Sequence, residues 1–279
     1  METKLKPETR RKYKKLESIL KKMGRVLVAF SGGVDSTLLL RTARDLLDGN
    51  VRAVVAASET YPQREIREAR RLAARFGVKV RVIKTRELEN PDFYRNPPER
   101  CYYCKQELFS RLLEIARREG IPYVLDGANA DDSQDFRPGS RASRELGVRS
   151  PLQEAGLTKE EIREVSRSLG LPTWNKPSLA CLASRFPYGA RIDRKSLARV
   201  GRAEDALRRA GFTQVRVRHH GPVARIEISP VEFPRIIEEK ARRTIVRNIK
   251  KAGYLYVTLD IEGYRTGSLN EPLGKPSDH

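Results

Sequence analysis

Cysteine, histidine and long apolar runs are all scarce in this 279-residue chain. It holds three cysteines, and an odd number of thiols makes a disulfide-stapled secreted scaffold a poor reading, so the cytoplasm is the expected compartment. No apolar run approaches the roughly 20 residues of a membrane span, and METKLKPETRRKYKK at the start has no apolar signal-peptide core, so no membrane association is expected. The three histidines, His219, His220 and His279, lie far from the thiols in sequence, which leaves a mixed Cys/His zinc site without an obvious fourth donor. Two familiar phosphate-binding signatures are missing as well: there is no G-x-x-x-x-G-K-[ST] and no G-x-G-x-x-G.

Positive charge is abundant. Lys and Arg number 56 against 36 acids, a formal net charge of +20. The excess gathers toward the two ends, with ten basic residues against three acids in residues 1–25 and 19 against 11 in residues 191–279. Such a surface attracts anions such as nucleotides, phosphorylated metabolites or nucleic acid. Much of it also reads as a solvated, ion-paired surface of the kind common in thermophiles.

Residues 4–23 have the spacing of a basic amphipathic helix. Strand-length apolar runs then alternate with helical patterns: VLVAF (26–30), a helix closed by Gly49, VRAVVAA (51–57), a helix over 62–76, and VKVRVI (78–83). A helix over 105–119, following a cysteine-bearing loop, and IPYVLDG (121–127) complete the series. Strands alternating with helices imply parallel crossovers and a sheet covered on both faces. Residues 131–150 read as polar and irregular, and T-K-E-E (158–161) as a capping box opening a short helix that ends at Gly170. A Pro-rich stretch around Cys181 reads as a functional linker. Beyond it come a helix (193–210), strands near 214–219 and 223–228, a long helix (231–252) and a strand at 254–261, α+β in character. His219 and His220 read as turn residues.

Where the first strand ends, the chain reads SGGVDS. Gly32 and Gly33 allow a sharp turn and close ligand approach, and the amides opening the next helix form an anion site, with Ser31 and Ser36 able to add hydroxyl donors. An ordinary glycine turn would look the same at this level. The cysteines fall as a CxxC pair, Cys101 and Cys104, with Cys181 alone far downstream. Three thiolates suit a 4Fe–4S cluster with one iron left without a protein ligand. A zinc site, a thioredoxin-like redox pair and unrelated structural thiols remain alternatives.

FSGGVDS after a first strand resembles the PP-loop of the ATP pyrophosphatases, which split ATP into AMP and pyrophosphate. With WNKPSLACLASRFPYG, RVRHHG, ARIEI and GYRTGSLN, the chain closely resembles the LarE family of ATP-dependent sulfur transferases over nearly its whole length. The resemblance implies an α/β fold: a parallel-sheet PP-loop domain over 1–185, including a basic N-terminal helix over 1–25. A smaller C-terminal α+β domain over 186–272 and a flexible tail over 273–279 complete the expected organisation. It implies that Ser31, Gly32, Gly33, Asp35 and Ser36 hold pyrophosphate, with Asp35 near Mg²⁺, and that Ser58 and Gly127 line the adenosine pocket. Arg185, Glu204, Arg216, Arg218 and Arg265 would hold a pyridinium mononucleotide.

In one branch of that family a single cysteine, matching Cys181, surrenders its own sulfur; in another, three cysteines bind a 4Fe–4S cluster. Possession of Cys101, Cys104 and Cys181 places this chain with the second. The reaction so implied adenylylates both carboxylates of pyridinium-3,5-biscarboxylic acid mononucleotide and replaces oxygen with sulfur, using ATP, Mg²⁺ and a sulfide source in a homo-oligomer. A tRNA thiolase with the same cluster chemistry is the rival enzyme, although no RNA-binding module is visible. A nucleotide or iron–sulfur sensor without turnover is the non-enzymatic alternative.

Overall fold

The computed structural model describes residues 5–133, 138–177 and 180–274. The chain divides into two compact units, one formed by Met1–Asn90 and Glu99–Leu179 and the other by Pro91–Pro98 and Ala180–His279. Only residues 273 and 274 of the expected tail lie among those described.

The first unit opens with α1 (Pro7–Met23), followed by β1 (Val26–Ala29), α2 (Val34–Leu47), β2 (Val51–Ala57), α3 (Gln63–Arg75) and β3 (Val80–Lys84). The chain then crosses the second unit in α4 (Pro91–Tyr94). It returns through α5 (Arg100–Arg118), β4 (Tyr123–Leu125), α6 (Pro138–Glu145), α7 (Pro151–Ala155) and α8 (Lys159–Ser168). The strands form one parallel sheet in the order β3-β2-β1-β4, with Val26 opposite both Val51 and Tyr123. Successive residues of β1 face opposite sides, so Val26 and Val28 enter one core with α1, α2 and α3, while Leu27 enters the other with Phe109 and Leu112 of α5. Both faces are covered, and that is why β1 is apolar throughout rather than alternating.

Two expectations for this unit change. The CxxC pair lies inside α5, in its first turn, and not in a loop ahead of a helix starting at 105. Pro97 and Pro98 precede the helix, where proline is tolerated, and the turn RCYYCKQE carries no apolar stripe to reveal it. Within the stretch expected to be irregular, α6 packs against α5 through small residues, Ala142 and Ser143, too inconspicuous to register as an apolar face.

The second unit contains α9 (Arg194–Arg209), β5 (Val215–His220), β6 (Val223–Ile228), α10 (Phe233–Ile237), α11 (Glu239–Lys251) and β7 (Tyr256–Leu259). Its sheet runs β5-β6-β7, antiparallel then parallel. His219 and His220 end β5 and are not turn residues. The single helix expected over 231–252 is broken at Glu238, whose ψ is 132°. Ile236 lies nine residues before Ile245, half a revolution away in a continuous helix, yet both are buried. The break brings both into one core with Ile249, Val215 and Val217. Asn96, at φ 58° and fully buried, donates through Nδ2 to the carbonyls of Phe186 (3.3 Å) and Pro187 (2.6 Å), which fastens residues 91–98 into this unit.

Candidate active site

The SGGVDS loop occupies the C-terminal edge of β1, where open α/β sheets place their ligands. Gly32 has φ +72°, and a Cβ there would stand 3.0 Å from the Cβ of Ala69 on α3, so both conformation and space demand glycine. Ser31 Oγ and Ser36 Oγ lie 2.9 Å apart, and the Gly33 amide donates to Ser31 Oγ at 3.3 Å. Gly33 caps α2, so the loop presents the positive end of a 14-residue helix. At the end of β4 a Cβ on Gly127 would fall 3.1 Å from the Ser36 amide nitrogen, so glycine there lets the two segments abut.

Asp35, in the first turn of α2, is half-buried; its Oδ1 accepts from Asn129 Nδ2 (3.3 Å) and its Oδ2 pairs with Lys159 Nζ. Lys176 Nζ donates to the Gly32 carbonyl at 3.3 Å and pairs with Glu65 (2.9 Å) and Glu68 (3.2 Å). Beside the loop, Phe30, Ser31, Val55, Tyr61, Glu65 and Lys105 border a mainly apolar cleft at the ends of β1 and β2. Ser58 is buried next to Thr60, and its hydroxyl donates to Glu87 Oε1 at 2.5 Å.

Cys101 is exposed and Cys104 half-buried, and their i, i+3 spacing sets them on one face of the first turn of α5. Cys181 is half-buried and caps a 3₁₀ turn, Leu182–Arg185, in the second unit. Among the described residues, no three His, Cys, Asp or Glu side chains are gathered into a group that could hold a metal ion. Two of the three thiols thus share one helical turn of the first unit, and the third belongs to the second unit.

Arg185 is buried and commits its guanidinium fully. It meets Glu204 through Nε (2.7 Å) and Nη2 (3.2 Å), while Nη1 donates to the carbonyls of Ala180 (3.1 Å) and Cys181 (3.0 Å). Burial alone would raise the Glu204 pKa, but the Arg185 guanidinium, with Arg208 and Arg216, holds it at about 2. Arg216 and Arg218 share the face of β5 opposite Val215 and Val217, as strand alternation predicts. Arg216 lies 5.1 Å from the Tyr264 ring, and burial, then the charge of Arg185, lower its pKa. Arg218 forms a fork with Glu227, both bonds 2.8 Å, and donates to the Ser184 carbonyl and to Ser268 Oγ. Arg265 pairs with Glu262 (2.8 Å) and Glu271 (2.9 Å). Arg218, Arg225, Arg265, His220 and Tyr188 border a cleft of about 330 Å³. Burial, then Arg225 and Arg218, lower the His220 pKa and favour its neutral form.

Comparison with known proteins adds the decisive observation. The asparagine synthase family profile matches residues 16–169. A pyridinium-3,5-bisthiocarboxylic acid mononucleotide synthase from Lactiplantibacillus plantarum is 41% identical over 93% of this chain and 94% of its own length. The chain belongs to the LarE family. An uncharacterized protein of Synechocystis is 44% identical over 95% of the chain and 98% of its own length. A tRNA-specific 2-thiouridylase from Desulforamulus reducens is 28% identical, over 55% of this chain and 53% of its own length.

Within this LarE-family chain, the fold meets the α/β expectation, with a four-stranded parallel PP-loop sheet and a smaller C-terminal sheet. Lys159, Lys176, Lys105 and Asn96 were not singled out from the sequence. The two lysines that touch the loop or its aspartate stand 124 and 144 residues from their partners, and no local pattern announces such a pairing. For Asn96 a signal existed, since asparagine is among the few residues that tolerate positive φ, and N-P-P is a turn-like tripeptide.

Proposed function

We propose that this chain is an ATP-dependent sulfur transferase that converts the carboxylates of pyridinium-3,5-biscarboxylic acid mononucleotide to thiocarboxylates, a step toward the nickel-pincer nucleotide. The observation that carries this reading is kinship with the Lactiplantibacillus plantarum synthase over 93% of the chain, supported by an SGGVDS loop at the N-terminus of α2 with the Ser31 and Ser36 hydroxyls side by side.

A carboxylate cannot accept sulfur directly, because oxide is too poor a leaving group. One substrate carboxylate oxygen attacks the α-phosphorus of ATP, the bond to the bridging oxygen breaks, and pyrophosphate leaves with that electron pair. Ser31, Gly32, Gly33 and Ser36 receive the departing pyrophosphate, whose charge the loop amides and the α2 dipole offset. Asp35 would hold the Mg²⁺ that accompanies ATP, and that ion would supply a counter-charge for the phosphates. Adenosine lies in the cleft beside the loop, toward Ser58 and Gly127. A sulfur nucleophile then adds to the acyl-adenylate carbonyl and AMP is expelled, leaving a thiocarboxylate; a second round converts the other carboxylate.

Cys101, Cys104 and Cys181 would hold a 4Fe–4S cluster, which when bound offers an iron without a protein ligand as the source of transferable sulfide. The Arg185–Glu204 pair fixes the carbonyls of Ala180 and Cys181 and so orients the third thiol. Arg216, Arg218 and Arg265 supply planar donors for the phosphate of the mononucleotide, for which guanidinium is better shaped than ammonium. On this reading residues 1–185 carry the ATP chemistry and residues 186–272 recognise the substrate, in a cytoplasmic homo-oligomer. The edge strand β7, with Tyr256 and the preceding Leu255 exposed, offers a surface for self-association.

Anaerobic reconstitution, a multiple-turnover assay and intact mass measurement test the proposal together. Many thiocarboxylates per chain, with the mass of Cys181 unchanged, are expected. Stoichiometric loss of one sulfur at Cys181 without turnover would overturn the cluster mechanism and leave sacrificial transfer.

A further inference from the structure

The SGGVDS loop contains no cation of its own, yet two lysines reach it from far along the chain. They are differently committed. Lys176 touches the Gly32 carbonyl but is neutralised by two carboxylates, Glu65 and Glu68. Lys159 has one ion-pair partner among the described residues, and that partner is the loop's own Asp35.

The setting of Lys159 separates a fixed root from a movable tip. Its backbone amide donates to Asp131 Oδ2 at 2.8 Å, and Thr158 and Glu161 form a reciprocal capping box around the same turn. The side chain is 30% exposed, and its four-carbon stem can pivot without disturbing α8. Asp35 is also the carboxylate that, on the pyrophosphate-loop reading on which this inference rests, meets the metal of the nucleotide.

We propose that Lys159 is a placeholder cation, its ammonium occupying at Asp35 the position that a divalent metal takes when it arrives with ATP. Without nucleotide, Lys159 keeps the partly buried Asp35 compensated. A divalent ion at Asp35 repels an ammonium at ion-pair distance, and the phosphate oxygens of the same nucleotide offer that ammonium new acceptors. The exchange is one cation for another at the carboxylate, so the released lysine becomes the charge that a Walker lysine supplies elsewhere. Lys176, already balanced by two carboxylates, remains a tether of the loop.

Mn²⁺ binding followed by electron paramagnetic resonance, first alone and then with a non-hydrolysable ATP analogue, provides the test. Lys159→Met and Lys159→Gln are expected to bind Mn²⁺ alone at least tenfold more tightly than wild type and the ATP analogue at least tenfold more weakly. Adding Asp35→Asn should abolish the gain, and Lys176→Met should not produce it. Mn²⁺ affinity unchanged in both Lys159 variants overturns the placeholder role whatever the nucleotide does. Failure of the wild type to bind the ATP analogue overturns the pyrophosphate-loop reading, and the placeholder role with it.

Discussion

Glu204 and Arg185 are both almost fully buried, and each satisfies the other. Removing one partner from such a pair typically costs about 3–5 kcal/mol, because a charge is left unmatched in the interior. Glu204→Ala is therefore expected to lower the unfolding free energy by that order, measurable by urea titration, and to disorder the Cys181 carbonyl contacts. The pH dependence has a defined sign. The folded pKa of Glu204, about 2, lies below its ordinary 4.5, so its stabilisation is complete above about pH 4.5 and fades as pH falls toward 2. That shift corresponds to roughly 3 kcal/mol, and Glu204→Gln should flatten the acid limb of a stability–pH curve. Gly32→Ala belongs to the same scale: the positive φ and the 3.0 Å approach to Ala69 predict about 1–3 kcal/mol of destabilisation. Calorimetry should also show ATP binding lost. Of these residues, Gly32 was legible in the sequence as part of a motif. The role of Arg185 was not, because a guanidinium turned inward against Glu204 looks in sequence like any other arginine.

At the scale of elements, the parallel sheet was readable because β1 and β2 are apolar runs alternating with helical periodicity. The opening of α8 was also readable, since Thr158 and Glu161 form a capping box. Thr158→Ala is expected to cost about 1 kcal/mol in thermal unfolding. It should also weaken ATP binding if the first turn of α8 carries a nucleotide-facing lysine. The start of α5 was missed because helix formation there depends on packing under α6 and not on an apolar stripe. With both thiols on one helical turn, Cys101→Ala and Cys104→Ala should each abolish the visible absorbance of the reconstituted cluster. Neither should unfold the first unit, because α5 enters the core on its side of the sheet farther along, at Leu108, Phe109 and Leu112.

For the whole molecule, the charge of +20 predicts weak tRNA retention at low salt whatever the function. A sulfur transferase for a small pyridinium nucleotide should release tRNA fully by about 200 mM salt in a filter-binding assay, where non-specific contacts have lost most of their affinity. Retention above that point would favour the thiouridylase reading. The sequence by itself determined the strand–loop–helix that makes an anion site, the α/β alternation and the inventory of three thiols. These are local, written in periodicity, glycine placement and composition. Only the tertiary structure decided which charges meet: Lys159 with Asp35, Arg185 with Glu204, and Asn96 with the backbone after Cys181. Such pairs join residues 19 to 124 positions apart, and nothing short of the folded chain brings them within ion-pair or hydrogen-bond distance.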